Sequence, residues 1–201
     1  SHLMMSGSLS IINNNLTRKN HDHFEMFLPD NQVLRFHDPR QFGCILITDH
    51  ESNNHPLLIQ LGPEPLSPEF NGQWLKKLAQ NRKVAVKNFI MNAQVVVGVG
   101  NIYASEALFM AGIHPKRAAK NISLKRYQLL AEAIQQVLQK AIIAGGTTLR
   151  DFSGSDGKPG YFKQSLQVYD REHAACNRCG QTVKKSIIGA RSSYYCGHCQ
   201  T

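Results

Sequence analysis

The chain has 201 residues, 42% of them apolar and 8% aromatic, which is enough to build a packed core and excludes a disordered polypeptide. No apolar run nears the roughly 18 residues of a membrane-spanning helix, and the first residues lack the basic leader of a secretion signal, so a cytoplasmic protein is expected. The net charge is +9, and it is segregated: residues 1–70 carry four basic and eight acidic groups, residues 71–201 nineteen and six. Local nets of −4 and +13 mark the C-terminal two thirds as a polyanion footprint, which a uniformly spread solubility charge would not produce.

Residues 1–62 predict β structure, with short apolar or alternating runs at 8–11, 24–28, 33–36 and 43–48. Pro29-Asp30-Asn31 suits a hairpin turn between the second and third runs. Cys44 lies in the fourth and is expected to be a buried core thiol. Three prolines between residues 61 and 70 rule out a helix or a central strand, and residues 63–70 are expected to be an interdomain linker. Beyond it the period becomes helical. Trp74, Leu75 and Leu78 start a short amphipathic helix that leads to the basic pair Arg82-Lys83. Ile102, Ser105, Leu108 and Phe109 share a face after Asn101. Ser123 caps a long helix with the stripe Tyr127, Leu130, Ile134, Val137, Leu138 and Ala141, and Gly145-Gly146 ends it. The connector 111–115 combines a glycine stop with a helix-forbidding proline. Residues 153–160 form a polar, glycine-rich loop.

Four of the five cysteines fall as Cys176-x2-Cys179 and Cys196-x2-Cys199, with sixteen residues between the pairs. Each C-x2-C knuckle presents two thiolates, and two knuckles joined by a hairpin-length connector complete a tetrahedral zinc site. The connector holds Thr182-Val183 and Ser193-Tyr194-Tyr195 as strands about a turn near Gly189. Two disulfides are the alternative, and they would need an oxidising compartment. Val97-Gly98-Val99-Gly100-Asn101 lacks the third glycine and the acidic partner of a dinucleotide loop. It does place backbone N–H groups at a helix start, where an anion is favoured, with Asn101 as the cap and Lys87 within reach if the chain folds back.

Several stretches occur in a fixed order: His-Leu-x-Met-Ser-Gly-Ser-Leu (2–9), His-Asp-His (21–23), Asp-Pro-Arg-x-Phe-Gly (38–43) and Leu-Gly-Pro-Glu-Pro-Leu (61–66). They continue with Val-Gly-Val-Gly-Asn-Ile-Tyr-Ala-Ser-Glu (97–106), Ala-Gly-Ile-His-Pro (111–115), Gly-Gly-Thr-Thr-Leu (145–149) and Ser-Asp-Gly-Lys-Pro-Gly-Tyr-Phe (155–162). Over essentially its whole length the chain resembles the bacterial formamidopyrimidine-DNA glycosylases (Fpg, MutM), and the last motif favours these over their endonuclease VIII relatives. The resemblance implies an α+β protein: a partial N-terminal β-sandwich (1–62), a helix–two-turn–helix DNA-binding domain (71–152), a lesion-recognition loop (153–165) and a zinc ribbon (166–201), with DNA in the cleft between. It implies one structural Zn²⁺ on Cys176, Cys179, Cys196 and Cys199. Its partner would be double-stranded DNA carrying an oxidised purine or an abasic site, in the bacterial nucleoid.

By the same resemblance Met5, Arg40 and Phe42 fill the void left by a flipped base, a task that suits an apolar wedge and a hydrogen-bonding guanidinium. From strand context alone, Met5 and Phe42 read as core residues. Lys87, Asn101 and Arg191 match the phosphate clamp, and His21 and Arg82 further DNA contacts. Arg191 also matches the proton donor of the last elimination step. Ser155, Asp156, Gly157, Lys158, Pro159, Gly160 and Tyr161 match the lesion loop, with Glu106 beside it.

The family's nucleophile is the secondary amine of an N-terminal proline, followed by a glutamate and, some fifty residues on, a lysine; such an amine attacks C1′ and forms an iminium. The 201 residues start Ser1-His2-Leu3-Met4, and their first proline is Pro29. Met4 stands where glycine is usual and Gln41 where a second arginine is common. A base-excision repair glycosylase/AP lyase whose present chain is inert is therefore expected, with a non-catalytic damaged-DNA or abasic-site binding module as the alternative. A ribbon protein acting on RNA or protein is a third reading. Strands lacking sandwich partners are further expected to self-associate through their edges.

Overall fold

The structure, a computed structural model, describes residues 3, 7–47, 55–145 and 165–201, and they fall into two compact units. In the first, β1 (Ser8–Asn13), β2 (Asp22–Leu28) and β3 (Gln32–His37) form an antiparallel sheet in the order β1-β3-β2. The expected turn joins β2 to β3, with Asp30 and Asn31 both left-handed at φ 59° and 55°, a conformation that Asp and Asn tolerate best among non-glycine residues. On the central strand Val33 and Phe36 are buried. Arg35 is buried too, and is satisfied by Glu25 at 2.7 Å, Asp22 at 3.4 Å and the carbonyls of Leu16 and Thr17. Burial pushes the Asp22 carboxyl up, but the Lys19 N–H, His37 and Arg35 outweigh it and hold it below the usual value.

One expectation for this unit fails. Residues 43 and 45–47 form no strand, and Cys44 makes only an isolated bridge and is exposed. The buried Asp38 explains the departure from the sheet: its carboxylate accepts the Gly43 N–H at 2.7 Å and curls the chain away at the end of β3. Leu46 and Ile47 therefore face outward. Apolar composition suits a strand, but a strand also needs a continuous ladder of hydrogen bonds, and here only the single bridge at Cys44 forms among the described residues.

The second unit comprises residues 52–142 and 165–201. Residues 61–70 carry no helix or strand, yet they pack closely: Gly62 donates to Ala93 O at 2.7 Å, and Phe70 is buried. A Cβ on Gly62 would lie 2.6 Å from the Val95 carbonyl, so this close approach requires glycine. Helix α1 (Gly72–Leu78) is capped by Asn71, whose side chain accepts from the Trp74 N–H at 2.9 Å. Residues 82–87 then run antiparallel to 115–120, and α2 (Val86–Ile90) follows without a side-chain cap.

Helix α3 (Asn101–Met110) was expected to show one apolar face, but it is buried at every position from Ala104 to Phe109. It is a central helix, enclosed on all sides. Helix α4 (Leu124–Ile143) is amphipathic as expected: Ser123 Oγ accepts from the Arg126 N–H, and all six stripe residues are buried. Gly145, at φ 71°, follows its end; Gly146 lies outside the described residues. No helix among the described residues is long and apolar enough to cross a membrane.

Strands β4 (Val183–Ile188) and β5 (Arg191–Cys196) form the ribbon hairpin. Its two-residue loop, Gly189-Ala190, has φ 56° and 59°, the paired left-handed geometry that matches strand twist. A Cβ on Gly189 would strike the Asn88 side chain, so the loop is seated directly on α2. Phe109 of α3 joins Val168, Cys176, Val183, Tyr194 and Cys196 in one apolar cluster, which makes the ribbon and the helices a continuous core.

Candidate nucleic-acid interface and metal centre

The metal centre follows from the hairpin. Cys196 ends β5, Cys199 follows in the next turn, and the loop before β4 supplies Cys176 and Cys179. The four sulfurs lie within 4.8 Å of one another, with Cys176–Cys199 at 3.9 Å and Cys179–Cys196 at 3.5 Å. Zinc bound at about 2.3 Å to each of four thiolates sets sulfurs about 3.8 Å apart. The residues present therefore fit one structural Zn²⁺, and the alternative of two disulfides is not what the cluster forms. The second knuckle is tied to the 111–115 connector: the Gln200 amide donates to Ile113 O and accepts the Cys196 N–H, and Arg126 donates to both Gly112 O and Thr201 O.

The cationic centre lies at the other end of the hairpin. Lys87 on α2 is fully buried, with its ammonium against Asn101 Oδ1 at 2.5 Å, Ser193 Oγ at 2.6 Å and Ser192 O at 3.0 Å. An ammonium has three N–H donors, so none is left over. Burial, reinforced by the nearby Arg191 guanidinium, lowers the Lys87 pKa from 10.5 to about 8. Arg191 is exposed at the start of β5. The expected approach of Lys87, Asn101 and Arg191 is thus what the fold produces. Asn101, however, is the first residue of α3 and leaves the N-cap to Gly100, which has no side chain to bond. Its side chain instead bridges Lys87 and the Tyr169 hydroxyl, the latter at 3.4 Å.

Glu106, one turn further along α3, is buried and accepts three backbone N–H groups: Gln167 at 2.8 Å, Val168 at 3.0 Å and Tyr169 at 2.8 Å. Burial pushes its carboxyl up, and these three amides and Arg171 oppose the shift. Glu106 therefore fixes the segment that carries Tyr169. Sequence reading missed this task, as it missed Ser192, Ser193 and Tyr169; the partners lie 61 to 106 positions apart and share no local pattern.

Among the other expected contacts, Arg82 is exposed where 82–87 pairs with 115–120. In the first unit His21 has φ 73°, its carbonyl accepts the Asp38 N–H at 3.0 Å, and its ring lies 6.2 Å from that of His37. The turn that Asp38 holds presents Arg40 and Phe42 to solvent, and Phe42 is 65% exposed. Its reading as a core residue is overturned, because the outward turn leaves the ring mostly in solvent. Met5, Ser155, Asp156, Gly157, Lys158, Pro159, Gly160 and Tyr161 lie outside the described residues.

Comparison with known proteins adds to this geometry. The family model for the formamidopyrimidine-DNA glycosylase N-terminal domain matches residues 1–45, that for the H2TH domain of the same enzymes residues 61–153, and the zinc finger found in FPG and IleRS residues 175–201. The formamidopyrimidine-DNA glycosylase of Marinobacter nauticus is 56% identical over 199 residues, covering 99% of this chain and 73% of the relative. That of Alcanivorax borkumensis is 56% identical, covering 99% and 74%. In structure, the Lactococcus lactis Fpg complexed with abasic-site DNA superposes with a TM-score of 0.89 at 31% identity, over 100% of this chain and 73% of that one. MutM from Thermus thermophilus gives 0.86 at 33%, over 98% and 73%. The relatives' identity and coverage, the matching domain models and the four-cysteine centre agree: the chain belongs to the formamidopyrimidine-DNA glycosylase family.

Proposed function

We propose that the chain serves base-excision repair by gripping duplex DNA at an oxidised purine, such as 8-oxoguanine or formamidopyrimidine, or at an abasic site. The observation that carries this reading is the cationic centre, in which Lys87, Asn101 and Arg191 converge where α2, α3 and the ribbon turn meet. Arg191 and the Asn101 amide offer donors to a phosphate, and Lys87 adds its charge from beneath. A direct Lys87–phosphate contact requires that one of its three protein acceptors be exchanged for a phosphate oxygen. The solved Lactococcus lactis relatives hold abasic-site DNA and Fapy-dG DNA, which supports a damaged duplex as ligand here as well. Arg40 and Phe42, presented outward by one turn, suit insertion into a base stack. By family resemblance Arg82 is a further DNA contact of this unit, His21 one of the first unit, and residues 155–161 are assigned to lesion recognition.

In this family the reaction starts from a proline amine, and Pro29 is the first proline of these residues. Arg191 can donate a proton in elimination but cannot replace a nucleophile that forms an iminium. Residues 1–201 are therefore proposed to supply the grip on damaged DNA and the proton donor of elimination, and none of them the iminium-forming nucleophile. Borohydride reduction in the presence of 8-oxoguanine or abasic duplex tests this. The expected outcome is a gel-shifted but non-covalent complex, and a trapped adduct refutes it.

A further inference from the structure

We propose that Ser193 is a positioning residue of the phosphate-binding centre, its hydroxyl holding the Lys87 ammonium and the backbone of Arg191 in one geometry. This deepens the DNA-binding reading above and rests on it. Ser193 is fully buried in β5. Its Oγ accepts from Lys87 Nζ at 2.6 Å and donates to the Arg191 carbonyl at 3.3 Å. A hydroxyl offers one donor and two acceptor lone pairs, so a single atom can serve both cation-bearing residues at once. A methyl at this site can do neither, and a carboxamide would need two separate atoms to do both. The consequence is mechanical: β5 leaves the ribbon turn with Arg191 oriented relative to a lysine more than a hundred residues earlier in the chain. The Ser192 carbonyl, at 3.0 Å from the same ammonium, adds a backbone anchor that no side-chain change removes.

The hairpin contains its own control. Ser186 on β4 lies directly opposite Ser193 in the register, and its buried hydroxyl has no hydrogen-bond partner among the described residues. The same Ser→Ala change can therefore be made at two facing positions of one hairpin, only one of which touches Lys87.

The test is the affinity of the full 201-residue, zinc-loaded chain for a duplex carrying a tetrahydrofuran abasic analogue. It is measured for the unaltered chain, Ser193→Ala, Ser193→Thr, Ser186→Ala, Lys87→Met and the Ser193→Ala/Lys87→Met double variant, with zinc content and thermal melting followed for each. Loss of a charge-assisted bond to the ammonium predicts binding weaker by on the order of tenfold for Ser193→Ala. Ser193→Thr, which keeps the hydroxyl, restores most of it, and Ser186→Ala binds like the unaltered chain. In the Lys87→Met background Ser193→Ala costs clearly less, because only its longer bond to the Arg191 carbonyl remains to be lost. Unchanged binding by Ser193→Ala, an equal loss in both backgrounds, or loss of zinc and cooperative melting in Ser193→Ala each overturns the inference. If the unaltered chain itself shows no salt-sensitive duplex binding, the DNA-binding reading falls first and this one with it.

Discussion

Lys87 shows how one residue's environment sets the conditions under which the centre works. Desolvation and the Arg191 charge both disfavour its protonated form, and they bring its pKa to about 8. In the unfolded chain the same amine keeps its proton up to its ordinary value of 10.5. Between those two values the unfolded state binds more protons, so this residue makes the fold more stable as pH rises. Duplex binding has the opposite sign. A phosphate oxygen beside the ammonium favours the charged form and raises the pKa, so above about pH 8 binding must take up a proton. Affinity at fixed ionic strength is therefore expected to hold from pH 6.5 to 7.5 and then fall, approaching about tenfold per unit well above the pKa. Fluorescence anisotropy with an abasic-analogue duplex measures it. The Lys87→Met variant binds more weakly and loses that component; an identical pH profile in both proteins would remove Lys87 from the contact. Glu106 poses the complementary case, a buried carboxylate kept tolerable by three backbone donors.

At the scale of elements, α3 and the ribbon hairpin act together. Phe109 packs into the ribbon cluster, the ribbon loop is seated on Asn88, and β5 supplies two of the three acceptors for Lys87. Cys196 ends that same strand. Zinc binding in such ribbons is coupled to their folding, with apparent free energies of roughly 10–16 kcal/mol. Chelation with a strong zinc ligand is thus expected to release one zinc per chain and to abolish specific duplex binding, while the α4 helical signal in circular dichroism persists. Readdition of zinc restores binding. Retained affinity in a fully demetallated protein would show that β5 holds Lys87 without the metal. The elements differ in how much of this was legible. The cysteine spacing, the Ser123 cap, the α4 stripe and the Pro29–Asn31 turn are local patterns, and each appears where its residues predict. Helix α2 was not foreseen because five residues without a cap carry no periodicity, and its stability comes from tertiary packing. The run 43–48 misled because apolar composition does not encode a pairing partner. The approach of Lys87 to Asn101 was legible in the glycine-led helix start, and Arg191 joined them by family resemblance; their anchoring by Ser193 and Tyr169 is a property of the folded chain alone.

Over the whole molecule, charge decides how strongly salt should matter, and it does so through contacts and not through the total. The four thiolates and one Zn²⁺ together contribute −2, which takes the net +9 to about +7. If the +13 of residues 71–201 acted as thirteen phosphate contacts, log K would fall against log salt with a slope near −12, at about −0.9 per contact. Counterion release counts only phosphates that are actually neutralised. Two cations, Lys87 and Arg191, have a proposed phosphate role, and Arg82, a further proposed DNA contact, is counted with them, while Arg40 is directed to a base. The expected slope is therefore about −3. Two variants of equal charge change separate the alternatives. Lys87→Met removes a contact and should bring the slope to about −2. Lys140→Gln removes one exposed charge from the last turn of α4, where no contact is assigned, and should leave the slope unaltered. Titrations from about 50 to 200 mM salt span the range in which contacts of this kind change affinity measurably. If both variants shift the slope alike, binding follows the overall field of the basic unit and the clamp has no privileged cation. If only Lys87→Met shifts it, the segregated charge acts mainly to steer the duplex toward the few groups that hold it.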